Sequence, residues 1–146
     1  AAIVSNKVFI ITGSARGLGK GFAEAILKVN FNVVRYSFRH LLNIVPMLCH
    51  IGGGYVTISD VLREAGEETT KELSEKYGQG KVHFVYCDVT KDEQFKELWD
   101  ETEKHFGRPV DVLVNNAGIN HKPGWKLCMD IDIVSHRNFI GTGRDF

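Results

Sequence analysis

The sequence has no surplus of charge of either sign: 18 lysines and arginines face 18 aspartates and glutamates in 146 residues. A balanced chain projects no long-range field toward phosphate backbones or anionic headgroups, so neither nucleic acid nor a membrane surface is implied as a partner. A long uninterrupted apolar run is also missing. The most apolar stretch, Leu41 to Ile58, is broken by Asn43, Pro46, His50 and three consecutive glycines, well before the ~20 residues that a spanning helix needs. Cysteine is scarce: Cys49, Cys87 and Cys128 are odd in number and far apart, with no C-x-x-C pair to suggest zinc or redox chemistry. That usage fits a reducing, cytoplasmic setting. None of the six histidines stands at H-E-x-x-H or another ligand spacing, so no metal is assigned. No charged-then-apolar leader precedes Lys7, and no secretory signal is expected.

What is present begins at Lys7. The segment KVFIITGSARGLGKGFAEAILK sets an apolar strand, a glycine-rich turn and an amphipathic helix in direct succession. Such a turn can hold a pyrophosphate on backbone N–H groups at the helix N-terminus, provided no Cβ keeps the backbone away, and Gly13, Gly17 and Gly19 supply that close approach. In the helix, Leu18, Phe22, Ala25 and Ile26 fall at helical spacing and predict one buried stripe.

Further strands are predicted at Val8–Ile11, Tyr55–Ile58, Val82–Tyr86 and Val110–Val114, each β-branched or aromatic. Between them, Leu62, Ala65, Thr69, Leu73 and Tyr77 mark one helix. Another, Lys91 to Phe106, is expected to be capped by Thr90 or Asp88, to turn Phe95, Leu98, Trp99, Thr102 and Phe106 inward, and to stop at Gly107. Alternating strands and helices imply right-handed crossovers, hence an α/β fold with a Rossmann-like parallel sheet of about four strands and flanking helices. The third and second strands are placed on one side of the first. The chain reads as a single dinucleotide-binding domain over residues 1–146, with the sheet stopping early and its fourth strand left as an aggregation-prone edge.

Two stretches break the regularity. An acidic residue normally follows the second strand about 20 residues beyond the glycine turn, where it hydrogen-bonds the adenosine ribose, yet Asp60 lies about twice as far away. Residues 29–52 therefore read as an insertion after the first helix, irregular in period. One hypothesis is translated intron, since codons for Val29 open with the dinucleotide that opens most introns; transcripts that never join Lys28 to the glycine run would sink it. The alternative makes Phe31 to Tyr36 the true second strand, with Arg35 where a 2′-phosphate is read. Residues 135–146 form the other stretch, an atypical tail with neither a clear strand nor a helix.

The pattern T-G-x-x-x-G-x-G at Thr12–Gly19, followed about 100 residues later by DVLVNNAG at Asp111–Gly118, resembles the short-chain dehydrogenase/reductase family. The runs GKGFAEAIL, YCDVTKDEQF and VDVLVNNAGIN are similar to the 15-hydroxyprostaglandin dehydrogenase branch. The resemblance covers residues 7–28 and 53–134. It implies a nicotinamide dinucleotide held by Gly13, Ser14, Arg16, Gly17, Leu18 and Gly19, with Asp88 and the Val89 backbone at the adenine. Asn115, Ala117 and Gly118 would line the cleft. In related enzymes a basic residue at the Arg16 position often accompanies NADP, whereas the Asp60 carboxylate would repel a 2′-phosphate, so NAD is expected over NADP.

Family catalysis, as the resemblance implies it, oxidises a secondary alcohol, here a hydroxylated lipid such as a prostaglandin. It uses a Tyr as acid/base, a Lys four residues on that lowers the Tyr pKa, a Ser and an Asn. The sole Tyr-x-x-x-Lys match, Tyr77 and Lys81, precedes the Asn-Asn-Ala-Gly segment instead of following it, and is read as a helix end and a strand start. Asp132 stands at the Asn position and Ser135 follows too closely to be the family Ser, so no catalytic residue is assigned and the chain alone is expected to be inactive. Two other readings stand beside this one. One is a non-enzymatic module that binds NAD or pairs with a full-length relative through the helix of Lys91 to Phe106; a homo-oligomer is the alternative to that pairing. The other is a misspliced or fragmentary product.

Overall fold

The computed structural model describes residues 7–28 and 53–118. These form four strands and three helices: β1 (Val8–Thr12), α1 (Gly17–Leu27), β2 (Tyr55–Asp60), α2 (Arg63–Tyr77), β3 (Val82–Tyr86), α3 (Asp92–Phe106) and β4 (Val112–Val114). All ladders are parallel and the strand order is β3-β2-β1-β4. This is the Rossmann-like arrangement expected, with β3 and β2 on one side of β1.

Central β1 is buried at every residue, because helices cover both faces of the sheet. Alternation sends Phe9 and Ile11 to one face, where they pack with Ile26 and Leu27 of α1, Val56 and Ile58 of β2, and Leu73 of α2. Val8 and Ile10 go to the other face, against Phe95, Leu98 and Trp99 of α3. A buried hydroxyl pair ties α3 to the sheet: Thr102 Oγ1 lies 3.0 Å from Thr57 Oγ1 and 2.7 Å from the Leu98 carbonyl. Among the described residues, no helix is long and apolar enough to cross a membrane.

Both neighbours of β1 are accounted for, since Val8 to Thr12 pair with Tyr55 to Ser59 and Phe9 to Ile11 pair with Val112 to Val114. The strand between β1 and β3 is therefore YVTISD; the Phe31–Tyr36 alternative falls within residues 29–52. Arg35, Asp132, Ser135 and residues 29–52 and 135–146 lie outside the described residues.

Two expectations need correcting. The buried stripe of α1 is Gly19, Ala23, Ile26 and Leu27, while Leu18 is 40% exposed. Periodicity had set the helix one residue out of phase, because Gly19, with no side chain, is invisible to a hydrophobic pattern although its backbone is the contact. The start of α3 also differs. Its N-cap is Lys91, without a side-chain cap. Asp88 Oδ1 instead accepts from Thr90 N at 3.0 Å and Thr90 Oγ1 at 2.7 Å in a local turn, and Gln94 Oε1 reaches back to accept from Asp88 N at 2.8 Å. The C-terminus follows expectation, with Gly107 left-handed at φ 65°.

Candidate functional site

The site grows out of the C-terminal ends of the strands, where the chain leaves β1. Gly13 has φ +64°, and a Cβ there would stand 2.7 Å from Ala117 Cα, so strain and contact both require glycine. Gly19 is enclosed: its Cβ would meet Gly13 O at 2.5 Å and Asn116 Nδ2 at 2.6 Å. Between them the turn is sewn to β2. Ser14 Oγ donates to Ile11 O at 2.6 Å and accepts from Ser59 N at 3.0 Å, while Ser14 N donates to Ser59 O at 3.1 Å. Thr69 Oγ1 on α2 donates to Ala15 O at 2.8 Å.

A second set of bonds comes from the segment after β4. The Thr12 hydroxyl accepts from Asn116 N at 3.1 Å and Ala117 N at 3.0 Å, and donates toward Asn115 Oδ1 at 3.4 Å. One donor and two acceptor positions are all that a hydroxyl offers, so it is fully used. Asn116 Nδ2 in turn donates to Thr12 O at 3.0 Å and Gly13 O at 3.1 Å. The turn is thus fixed before any ligand arrives.

These segments enclose a cleft of about 560 Å³. Of the residues singled out in the sequence, Gly13, Leu18, Gly19, Asp60, Asp88, Val89, Ala117 and Gly118 line it. Ser14 is buried, and Arg16, Gly17 and Asn115 are exposed; none of the four is part of the lining. The structure adds Val61, Leu62, Cys87 and Asn116 to the lining. Asn116 stands next to a residue that was chosen, and the Asn-Asn doublet carries no signal for which amide turns inward. Thr12 opens the glycine pattern but had no role assigned, because its partners lie more than 100 residues away.

Asp60 ends β2 at the cleft. Its Oδ2 accepts from Ala15 N at 3.0 Å and its Oδ1 from Leu62 N at 3.1 Å. A carboxylate has about four acceptor positions, so two remain for a ligand. The first turn of α1 contains no acidic residue and its N-cap has no side-chain bond, which leaves the positive helix end to an anion. Cys87 is buried beside Ser59; burial foremost, then the charges of Asp88 and Glu97, push its thiol up to about 12, outweighing the Ser59 hydrogen bond. It is a neutral part of the cleft floor and no nucleophile.

The Tyr77 and Lys81 pair is elsewhere. Tyr77 closes α2, which runs antiparallel to the strands, so it lies at the opposite end of the sheet from the cleft. Its hydroxyl donates to Glu24 Oε1 at 3.1 Å, and burial raises its pKa above the ordinary phenol value, against the direction a base requires.

Comparison with known proteins agrees with the fold. A family model for short chain dehydrogenase matches residues 42–142. The chain is 33% identical to 15-hydroxyprostaglandin dehydrogenase (NAD(+)) of Macaca fascicularis over 143 residues, covering 98% of this chain and 45% of that protein. The corresponding mouse enzyme is 34% identical over the same length, with 98% and 44% covered. Among solved structures, a short chain dehydrogenase/reductase from Burkholderia phymatum in complex with NAD superposes with TM-score 0.68 at 22% identity, covering 94% of this chain and 43% of that one. The chain spans less than half the length of the curated relatives it matches. With a matching family model over most of its length and the fold to go with it, the chain belongs to the short-chain dehydrogenase/reductase family.

Proposed function

We propose that the chain is a single dinucleotide-binding domain whose cleft takes NAD in preference to NADP, and that it serves NAD-dependent oxidation of a secondary alcohol. The observation that carries this reading is Asp60: a carboxylate at the end of β2, braced by two backbone N–H groups and with acceptor positions left over, at the edge of a glycine turn. Those positions suit a ribose 2′-hydroxyl and repel a 2′-phosphate. Two unit charges 4 Å apart at an effective dielectric of 20 oppose each other by about 4 kcal/mol, enough after partial screening for about 100-fold discrimination. The pyrophosphate would lie over the turn at the N-terminus of α1, and the adenine against Leu62, Asp88 and Val89. Exposed Arg16 would act by charge, and buried Ser14 by support of the turn.

When bound, the nicotinamide supplies the hydride acceptor. The substrate is proposed to be a hydroxylated lipid of the kind named for the relatives, 15-hydroxyprostaglandin. No described residue is assigned the proton transfer, since Tyr77 is turned to Glu24 at the other end of the sheet. The outer face of α3 favours no pairing role, for Glu93, Lys96, Glu97 and Lys104 are all exposed.

Titration of the full chain with NADH and NADPH, following nicotinamide fluorescence, tests the reading. We expect saturable NADH binding, NADPH weaker by about 100-fold, and no binding by Gly19→Val, whose side chain would collide with Gly13 and Asn116. Equal affinity for both cofactors, or binding that survives Gly19→Val, would overturn it.

A further inference from the structure

Among the described residues β3 is an edge of the sheet, so where the chain leaves it the backbone has a neighbouring strand on one side only. Toward β2, Cys87 N still donates to Asp60 O at 3.3 Å. The next donor, Asp88 N, bonds instead to a side chain of α3, Gln94 Oε1, at 2.8 Å. A glutamine in the first turn of a helix commonly reaches back to the N–H of that helix's own N-cap. Here the N-cap is Lys91, and Gln94 reaches past it to the stretch Cys87–Val89 that lines the cleft. The carboxylate of the same aspartate is only half committed. Its Oδ1 accepts from both the N–H and the hydroxyl of Thr90, while Oδ2 carries no hydrogen bond among the described residues. The helix that supplies Gln94 is firmly seated: Phe95, the next residue, is 1% exposed and packs with Leu98, Trp99, Val85, Cys87 and Val89 in one core, and Thr102 ties α3 to Thr57 of β2.

We propose that Gln94 is a positioning residue for the purine end of the cofactor: from α3 it fixes the Asp88 backbone, and with it the uncommitted carboxylate oxygen, so that the site distinguishes a 6-amino purine from a 6-oxo one. The inference rests on the reading of the cleft as a dinucleotide site. An exocyclic amino group donates hydrogen bonds and an ionised carboxylate only accepts them, whereas a purine carbonyl sets oxygen against oxygen. Leu62 and Val89 line the same cleft and offer apolar contact that any purine shares, so discrimination at the 6 position falls to Asp88. Hydrogen bonds weaken steeply with angle, and the discrimination therefore depends on how firmly the Asp88 peptide is held. Gln94 is not itself part of the lining and acts through Asp88.

The test uses the full chain and two ligands, NADH and the reduced nicotinamide hypoxanthine dinucleotide, which carries a carbonyl where adenine carries its amino group. Their affinity ratio is the readout, because a general loosening of the cleft weakens both alike and leaves the ratio unchanged. One hydrogen bond to a charged acceptor gives the unsubstituted chain a preference for NADH of about tenfold or more. Gln94→Met keeps the length of the side chain and removes the acceptor, and is expected to shrink that preference to less than about threefold; Gln94→Ala serves in its place should the first variant fold poorly. Gln94→Glu keeps an oxygen at the same reach and is expected to retain most of the preference. A ratio that survives both Gln94→Met and Gln94→Ala overturns the proposal, as does a ratio that Gln94→Glu loses equally. If the unsubstituted chain binds neither ligand, the dinucleotide reading fails and the proposal falls with it. NADH binding with no preference over the hypoxanthine dinucleotide defeats the proposal alone.

Discussion

Thr12 shows how much one hydroxyl can organise. It receives the N–H groups of Asn116 and Ala117, residues brought to it only by the pairing of β1 with β4. Thr12→Val keeps the shape and leaves both donors unpaired in a half-buried place, where each costs on the order of 1 kcal/mol or more. We expect Thr12→Val to lower the unfolding free energy by about 2–3 kcal/mol in urea titration, and Thr12→Ser to recover most of it. Cys87 is the opposite case. Its thiol stays protonated at neutral pH, so the folded chain should resist thiol alkylation at this position even though the residue lines the cleft.

At the scale of elements, helix phase and helix-to-strand distance decide what can be substituted. Gly66 lies inside α2, where alanine ordinarily gains about 1 kcal/mol over glycine. Here a Cβ would fall 2.0 Å from Phe84 Cε2 of β3. Gly66→Ala should therefore destabilise, by about 1–3 kcal/mol in the same denaturation, and Phe84→Leu should relieve part of it. This contact is illegible in sequence, as is the one-residue phase shift of α1: both depend on a side chain that is absent, and a hydrophobic pattern records only those present. Runs of β-branched and aromatic residues and full helical periods were legible instead, so β3 and the inward face of α3 match what VHFVY and Phe95, Leu98, Trp99 and Thr102 predict. The cap of α3 was not, because Asp88 and Thr90 satisfy one another in place of the helix.

The α3–β3 contact also carries a pH dependence. His83 and His105 stack at 3.9 Å with rings 6° apart, and burial, with the neighbouring His105, lowers His83 from 6.5 to about 4. The folded state therefore refuses a proton that the unfolded chain accepts below about pH 6.5. Stability from this source is complete above pH 6.5 and is lost as pH falls toward 4. Between pH 7 and 5 the loss should be about 1 kcal/mol, allowing for partial solvent screening, and His83→Phe should flatten that part of the profile.

For the molecule as a whole, the layers have unequal weights. The apolar cores on the two faces of the sheet hold the fold, whereas the ion pairs that join α1 to α2, Lys20 with Glu72 and Glu24 with Lys76, are open to solvent and add little. Overall architecture was readable because alternating strand and helix periods admit few topologies. Gly13, Gly19 and Asp60 were readable as lining of the cleft, whereas the approach of Asn116 and Ala117 to those glycines was not, because it joins segments remote in sequence. That meeting has a consequence for biosynthesis. Asn116 and Ala117, which close the glycine turn, leave the ribosome about 100 residues after it. At typical elongation rates of about 5–20 residues per second, the turn waits some seconds for its partners. A nascent chain stalled before Asp111 would carry the whole glycine pattern without the bonds that shape it, and dinucleotide should stabilise only chains that have passed that point.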